Sequence, residues 1–265
     1  CYIFLILICF TCVFPFLWMF LSSLKTVKED VNTLTLTFFA KDPQWHNYAV
    51  VFEKIDMFRG LLNTMAIEVA TIPFCVFMSG LSAFAFSKME LKHKDVHLMV
   101  QLSALMIPYD CVVLPLYRAY YSLNLTDTLW PLILPSLFGG VSMMFFFVQF
   151  QRSISNAIFE AAKVDGASYL RQYVSIMLPI MGPAIAAQVI FMFVGNWNDF
   201  FAPSLYLTVE KVMTLQLMLK SLSDSKVDLP VSFAGAVIAS VPLYVIYIIF
   251  QRYFIEGMAI SAVKG

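Results

Sequence analysis

Charge is scarce in this sequence. Its 265 residues include 17 Lys and Arg and 17 Asp and Glu, 13% in all, against roughly 25% in a typical globular chain. The net charge is zero, which argues against a nucleic-acid partner, since that would need a basic face to neutralise phosphates. The GxxxxGK[ST] phosphate loop is missing, so the chain cannot bind ATP in that way. There is no serine-nucleophile elbow, and no His, Cys and carboxylate cluster at metal-ligand spacing. An enzyme is not expected, and neither is a metal site or a cofactor held by this chain. Cys1, Cys9, Cys12, Cys75 and Cys111 lie in or beside apolar runs. They read as buried small hydrophobes, not as a disulfide framework.

Apolar residues are abundant instead. They make up 60% of the chain, with 26 Phe and a mean hydropathy of +0.80. A water-soluble fold of this length could not cover so much apolar surface, and a bilayer is the natural solvent. A membrane helix needs ~20 mostly apolar residues. Six segments qualify: 2–21, 61–86, 96–120, 130–150, 180–205 and 233–254. The chain begins at Cys1 rather than Met, which predicts that residues precede it. The first run lacks a small-residue cleavage site and reads as a retained membrane helix. Pro73, Pro108, Pro115 and Pro242 fall inside these runs and predict kinks. The basic residues Lys88, Lys92 and Lys94 of the short connection 87–95 outweigh the connection 121–129, which has none. The positive-inside rule then puts 87–95, 151–179 and the tail in the cytoplasm, and the long loops 22–60 and 208–232 outside. Residues 1–265 read as a single transmembrane domain without internal repeats.

The stretch from Glu160 to Pro179 is the most informative. Glu160 to Val164 are good helix formers, Gly166 can adopt the left-handed conformation that ends a helix, and Asp165 or Ser168 can cap the next one. Ala161, Ala162 and Ala167 leave a low surface that another protein can approach. A lipid-surface helix would need a strongly basic face and bulky apolar groups. This segment has neither, so a docking element is the better reading.

Glu160-Ala161-Ala162, Asp165-Gly166-Ala167, Ile176 and Leu178-Pro179 match the EAA motif of ABC-importer permeases. Tyr173 stands where that family usually has Phe. Asn196-Trp197-Asn198-Asp199-Phe200, Met106-Ile107-Pro108, Leu114-Pro115-Leu116-Tyr117, Leu62-Asn63-Thr64 and the terminal Gln251-Arg252-Tyr253-Phe254 resemble the carbohydrate branch. Within that branch the likeness is greatest to the smaller, second transmembrane subunits of importers of the maltose/maltodextrin kind. The resemblance covers essentially the whole chain. It implies an all-α membrane protein with six transmembrane helices and a cytoplasmic EAA coupling loop, 151–179, between the fourth and fifth: the binding-protein-dependent importer permease fold. It further implies a multi-pass subunit of a bacterial or archaeal plasma membrane. Its partners would be a second permease subunit, two ATP-binding subunits that hold ATP and Mg, and an extracytoplasmic sugar-binding protein.

On this resemblance Glu160, Ala161, Ala162, Asp165, Gly166 and Ala167 dock the ATP-binding subunit, and Ala262, Val263, Lys264 and Gly265 reach between the two such subunits. An amphipathic stretch, 214–222, leads to Leu222, Ser223, Asp224, Ser225 and Lys226, which would contact the binding protein. Glu68, two turns from the outer end of the second helix, is either a pathway acceptor for sugar hydroxyls or a carboxylate reaching headgroup water. Asn196, Trp197, Asn198 and Asp199 either grip substrate or fix helix packing and the gate. Gln101 and Gln188 are weaker pathway candidates. Two other functions stay open. An ion-gradient-driven secondary transporter would need paired acids and repeats, and an ABC permease could instead carry a polar solute such as a glycerol phosphate.

Overall fold

The computed structural model describes residues 2–31, 38–225 and 227–262, and among them all regular structure is helical. In chain order the helices are α1 Tyr2–Ser23, α2 Val27–Val31, α3 His46–Lys54, α4 Met57–Lys88, α5 Lys94–Ser103, α6 Tyr109–Ser122, α7 Trp130–Leu137 and α8 Val141–Arg152. They continue as α9 Ala157–Val164, α10 Tyr169–Gln172, α11 Leu178–Ile180, α12 Gly182–Trp197, α13 Phe201–Tyr206, α14 Leu215–Asp224 and α15 Leu229–Ala262. A π-helical turn, Tyr173–Met177, joins α10 to α11.

Among the described residues four spans are long and apolar enough to cross a membrane: Tyr2–Ser23, Met57–Lys88, Trp130–Arg152 and Leu229–Gln251. Two more arise if bent pairs count as single spans, Lys94–Met106 with Tyr109–Ser122 at 89° and Tyr169–Ile180 with Gly182–Trp197 at 79°. The six apolar segments of the sequence are therefore present, but three are not the continuous helices expected. The third breaks at Ile107, whose ψ of 112° is extended. Pro108 disfavours the helical region for its predecessor and has no N–H to donate. The fourth is interrupted at Gly139, φ +90°. The fifth starts earlier than expected, turns at Met181 and ends at Trp197. Pro73, Pro115 and Pro242 stay inside helices. Of the cysteines described, only Cys75 is buried. Cys9, Cys12 and Cys111 are exposed free thiols, with Cys9 and Cys12 in C-x-x-C spacing on α1.

The chain divides into two compact units, one of residues 1–64 and 209–245 and the other of residues 65–208 and 246–265. In the first, the end of α1 is capped by the first turn of α3. The Asn47 amide donates to the carbonyls of Ser23 (2.8 Å) and Lys25 (3.2 Å). The Lys25 ammonium lies 4.2 Å from the Trp18 ring centroid. The Glu29 carboxylate accepts the backbone N–H groups of Thr26 and Lys41, which hold its pKa below the usual carboxylate value.

Helix α14 occupies the loop 208–232 expected outside the membrane, over the stretch read as amphipathic. It buries Leu215, Leu217, Met218 and Leu222. Its N-terminus is held by Thr64, whose hydroxyl accepts the Leu215 N–H at 2.9 Å. Asn63 donates to the carbonyls of Lys211 (3.0 Å) and Met213 (2.9 Å). Gly60 makes the approach possible, since a Cβ there would lie 2.8 Å from Met218 Cγ and 3.3 Å from the Leu215 backbone.

The second unit carries a core around Phe84, Phe147, Tyr173, Met177 and Met181, each at most 1% exposed. Gln151, read from sequence as the first residue of a solvated loop, is fully buried. Its amide donates to the Gly80 carbonyl at 3.0 Å, and its own carbonyl accepts from the Ser87 hydroxyl at 2.7 Å. A buried amide needs such partners, because leaving it unpaired costs on the order of 1–3 kcal/mol.

Candidate functional site

The EAA segment folds as helix, turn, helix. Helix α9 ends with Asp165 as its cap and Gly166 at φ +77°. The Ala167 N–H reaches back to the Ala162 carbonyl (2.9 Å), and the Gly166 N–H to that of Lys163 (3.1 Å). This pair of bonds is a Schellman closure, which requires the left-handed residue that glycine supplies without a Cβ penalty. Of the two cap candidates for the next helix it is Ser168 that acts, accepting from the Arg171 N–H at 3.4 Å. Only Phe159 anchors α9 inward, edge-on to Phe84 at 5.7 Å. Burying that ring contributes about 1.5–3 kcal/mol. Glu160, Ala161, Asp165 and Gly166 are exposed, and Ala162 and Ala167 are half-buried. Val164 is 88% exposed. The element is thus closed by its own backbone bonds and leaves its outer face exposed.

The polar residues predicted inside the membrane are arranged differently. Helix α4 starts four residues before the expected second helix, so Glu68 lies about three turns from its start, not two. It is 2% exposed. The Asn196 amide of α12 donates to Glu68 Oε2 (3.1 Å) and to the Thr71 hydroxyl (3.4 Å). Glu68 Oε1 is buried without a hydrogen-bond partner. Trp197 is fully buried, stacked on Phe193 at 5.2 Å, and unavailable to a sugar. Asn198 donates to the Val194 carbonyl at 2.8 Å, and Asp199 accepts the Ala202 N–H at 3.3 Å at the start of α13. Sequence reasoning missed Thr71, whose spacing from Glu68 on one helix face is its only signal.

Glu68→Gln is expected to preserve the acceptor for Asn196. Glu68→Leu removes it, at a cost of about 1 kcal/mol, as for other interhelical hydrogen bonds in membranes. Thermal unfolding in detergent should rank wild type and Glu68→Gln together above Glu68→Leu. Equal loss in both variants would count against the bond.

A notch of about 200 Å³ opens where the fourth span is interrupted, lined by Ser79, Ser82, Gln101, Phe138, Gly139 and Gly140. Ser79 Oγ takes the place of the missing helical bonds, accepting the Gly140 N–H at 2.8 Å. Irregular backbone at membrane depth is tolerated where it lines a cavity or packs in protein. Phe138 is 78% exposed beside it.

Elsewhere the predicted contacts fare unevenly. Leu222 is fully buried: Gly235 leaves room for it, a Cβ there lying 3.1 Å from Leu222 Cδ2. It faces its own unit, not a partner. Ser223, Asp224 and Ser225 are exposed. Lys226, Val263, Lys264 and Gly265 lie outside the described residues, and Ala262 closes α15. Among the described residues no three His, Cys, Asp or Glu gather as a metal site.

Comparison with known proteins agrees with this arrangement. The chain is 30% identical over 261 residues to the arabinooligosaccharides transport system permease protein AraQ of Halalkalibacterium halodurans, spanning 97% of this chain and 93% of that protein. It is 29% identical over 244 residues to the diacetylchitobiose uptake system permease protein NgcG of Streptomyces coelicolor, spanning 90% and 80%. In fold it matches a chain of a bacterial ABC transporter involved in the import of the acidic polysaccharide alginate, with a TM-score of 0.82, 20% identity, and coverage of 96% and 94%. Residues 55–260 fit the family described as binding-protein-dependent transport system inner membrane component. A polytopic helical chain with an EAA turn, matched over most of its length, belongs to that family of inner-membrane transport permeases.

Proposed function

We propose that this chain forms half of the membrane pathway of an ATP-driven importer for a sugar or oligosaccharide. A soluble binding protein delivers the sugar, and separate ATP-binding subunits hydrolyse ATP. The observation that carries this reading is the α9–Gly166–α10 element, a closed helix-turn-helix with an exposed small-residue face. The sugar follows from the kind of cargo named for its relatives, arabinooligosaccharides and diacetylchitobiose. Glu160, Ala161, Ala162, Asp165, Gly166 and Ala167 form the docking face. Ser223, Asp224, Ser225 and Lys226 are what remains of the binding-protein contact once Leu222 is set aside, and Ala262 to Gly265 form the tail contact. Glu68, Asn196 and Trp197 serve as a packing lock, and the Gln101 and Phe138 notch is the surface through which substrate passes. Planar amides and aromatic faces are the groups that grip sugar hydroxyls and rings.

A cysteine at Ala161 paired with cysteines on the surface groove of the co-expressed ATP-binding subunit tests the docking face. The pair should cross-link, whereas a cysteine at the buried Phe159 should not. Cross-linking from Phe159 with none from Ala161 would reverse the assignment.

A further inference from the structure

Lys88, the last residue of α4, belongs neither to the docking face nor to the pathway. Its ammonium donates to the Ile154 carbonyl at 2.6 Å and to Asn156 Oδ1 at 2.8 Å, and lies 5.2 Å from the centroid of the Phe159 ring. Ile154 lies just past the end of α8, where carbonyls lack helical partners. Asn156 is the cap residue of α9, yet its side chain makes no capping bond. An Asn in that position ordinarily accepts from the helix's own N–H groups. Here its oxygen is turned to Lys88 instead.

Neighbouring contacts fall on the same stripe of α4. Phe77 accepts from the Tyr173 hydroxyl (2.8 Å), Gly80 from Gln151 (3.0 Å), and Ser87 donates to Gln151 (2.7 Å). Phe84 meets Phe159. Residues 77, 80, 84, 87 and 88 are spaced by three and four, one face of a helix. Both arms of the docking loop therefore close on α4, and Lys88 ties α4 to the entry of the docking helix, one turn beyond the Phe84–Phe159 contact. Carboxylates of Glu90 and Glu160 line the same cleft, of about 200 Å³. The ammonium nevertheless bonds the backbone of the loop, where charge-assisted bonds fix geometry more firmly than neutral ones.

We propose that Lys88 is a positioning residue that transmits displacement of α9 into the transmembrane helix α4. The proposal rests on the reading of α9 as the docking helix. Packed elements joined in this way move as units between discrete arrangements, and removing the joint should let α9 move without α4.

The test uses the complete complex reconstituted with its binding protein. It compares wild type, Lys88→Met, Lys88→Arg and the milder Asn156→Ala, reading the amount of ATP-binding subunit retained, stimulated ATPase activity and uptake per ATP hydrolysed. In Lys88→Met the ATP-binding subunit should stay at the wild-type ratio. Uptake per ATP should fall roughly tenfold, the scale of one lost charge-assisted bond. Lys88→Arg should recover most of it, and adding Asn156→Ala to Lys88→Met should cost little more, because the two act through one contact. Unchanged uptake per ATP in Lys88→Met would overturn the proposal. So would parallel loss of ATPase and uptake with shedding of the ATP-binding subunit, since Lys88 would then only hold the fold. If a face other than α9 cross-links to that subunit in wild type, the docking reading fails first, and the proposal with it.

Discussion

Gly166→Val is expected to give a chain that inserts normally and does not transport, with its ATP-binding subunit lost or loosely held. Gly166 sits at φ +77°, where an L-residue costs on the order of 1–2 kcal/mol and a β-branched one is a genuine outlier. The turn must then either bear that strain or open, and opening breaks the closure bonds to Ala162 and Lys163. A Cβ at Gly166 meets nothing within 4 Å in this chain. The damage therefore comes from backbone geometry and from the space a partner would occupy, not from internal crowding. Gly166→Ala should accordingly be intermediate. Glu160→Ala, which removes one exposed charge, should weaken assembly more mildly still. Co-purification ratio and uptake measure both effects, and full transport by Gly166→Val at a wild-type ratio would mean that this turn is not the docking element.

Gly80→Ala is expected to destabilise the second unit markedly. The added Cβ would stand 2.5 Å from the Tyr173 hydroxyl oxygen and 3.4 Å from its Cζ. Tyr173 is fully buried, and its hydroxyl is committed to the Phe77 carbonyl, so the ring cannot step aside cheaply. Overpacking of this kind costs about 1–3 kcal/mol. It acts where the EAA loop meets α4, so uptake should fall together with stability. Tyr173→Phe removes the colliding oxygen at the expense of one hydrogen bond, about 1 kcal/mol. The double variant Gly80→Ala with Tyr173→Phe should therefore be more stable than Gly80→Ala alone, a reversal that independent sites would not give. Simple additivity in thermal unfolding would contradict the packing described here.

How far the sequence could be read depended on whether a feature was local. The helix–turn–helix around Gly166 was legible because its geometry is decided within nine residues, Glu160 to Ser168: helix formers, a glycine able to take positive φ, and a serine to cap the second helix. The membrane spans were legible from hydropathy, which counts apolar residues but carries no direction. That is why the break at Ile107 appeared only as a kink at Pro108, and why the interruption at Gly139 did not appear at all. The latter is stabilised by Ser79, 61 residues away along the chain. Helix α14 was recognised as amphipathic, but Leu222 at its end was assigned to a partner contact and is instead buried in its own unit. Gly60, which lets α14 approach α4, gives no signal of that role in one sequence. Trp197 read equally as a sugar platform, since aromatic residues beside planar amides often are, and as packing, and its burial against Phe193 favours packing.

The central claim is that this chain moves a sugar at the expense of ATP bound elsewhere. Its most direct test is uptake of labelled oligosaccharide into sealed proteoliposomes of uniform orientation holding this subunit, its permease partner and the ATP-binding subunits, with binding protein outside and ATP trapped within. Uptake should require both ATP and binding protein and persist when protonophore and sodium ionophore collapse the ion gradients. Uptake that proceeds without ATP and disappears with those gradients would contradict it.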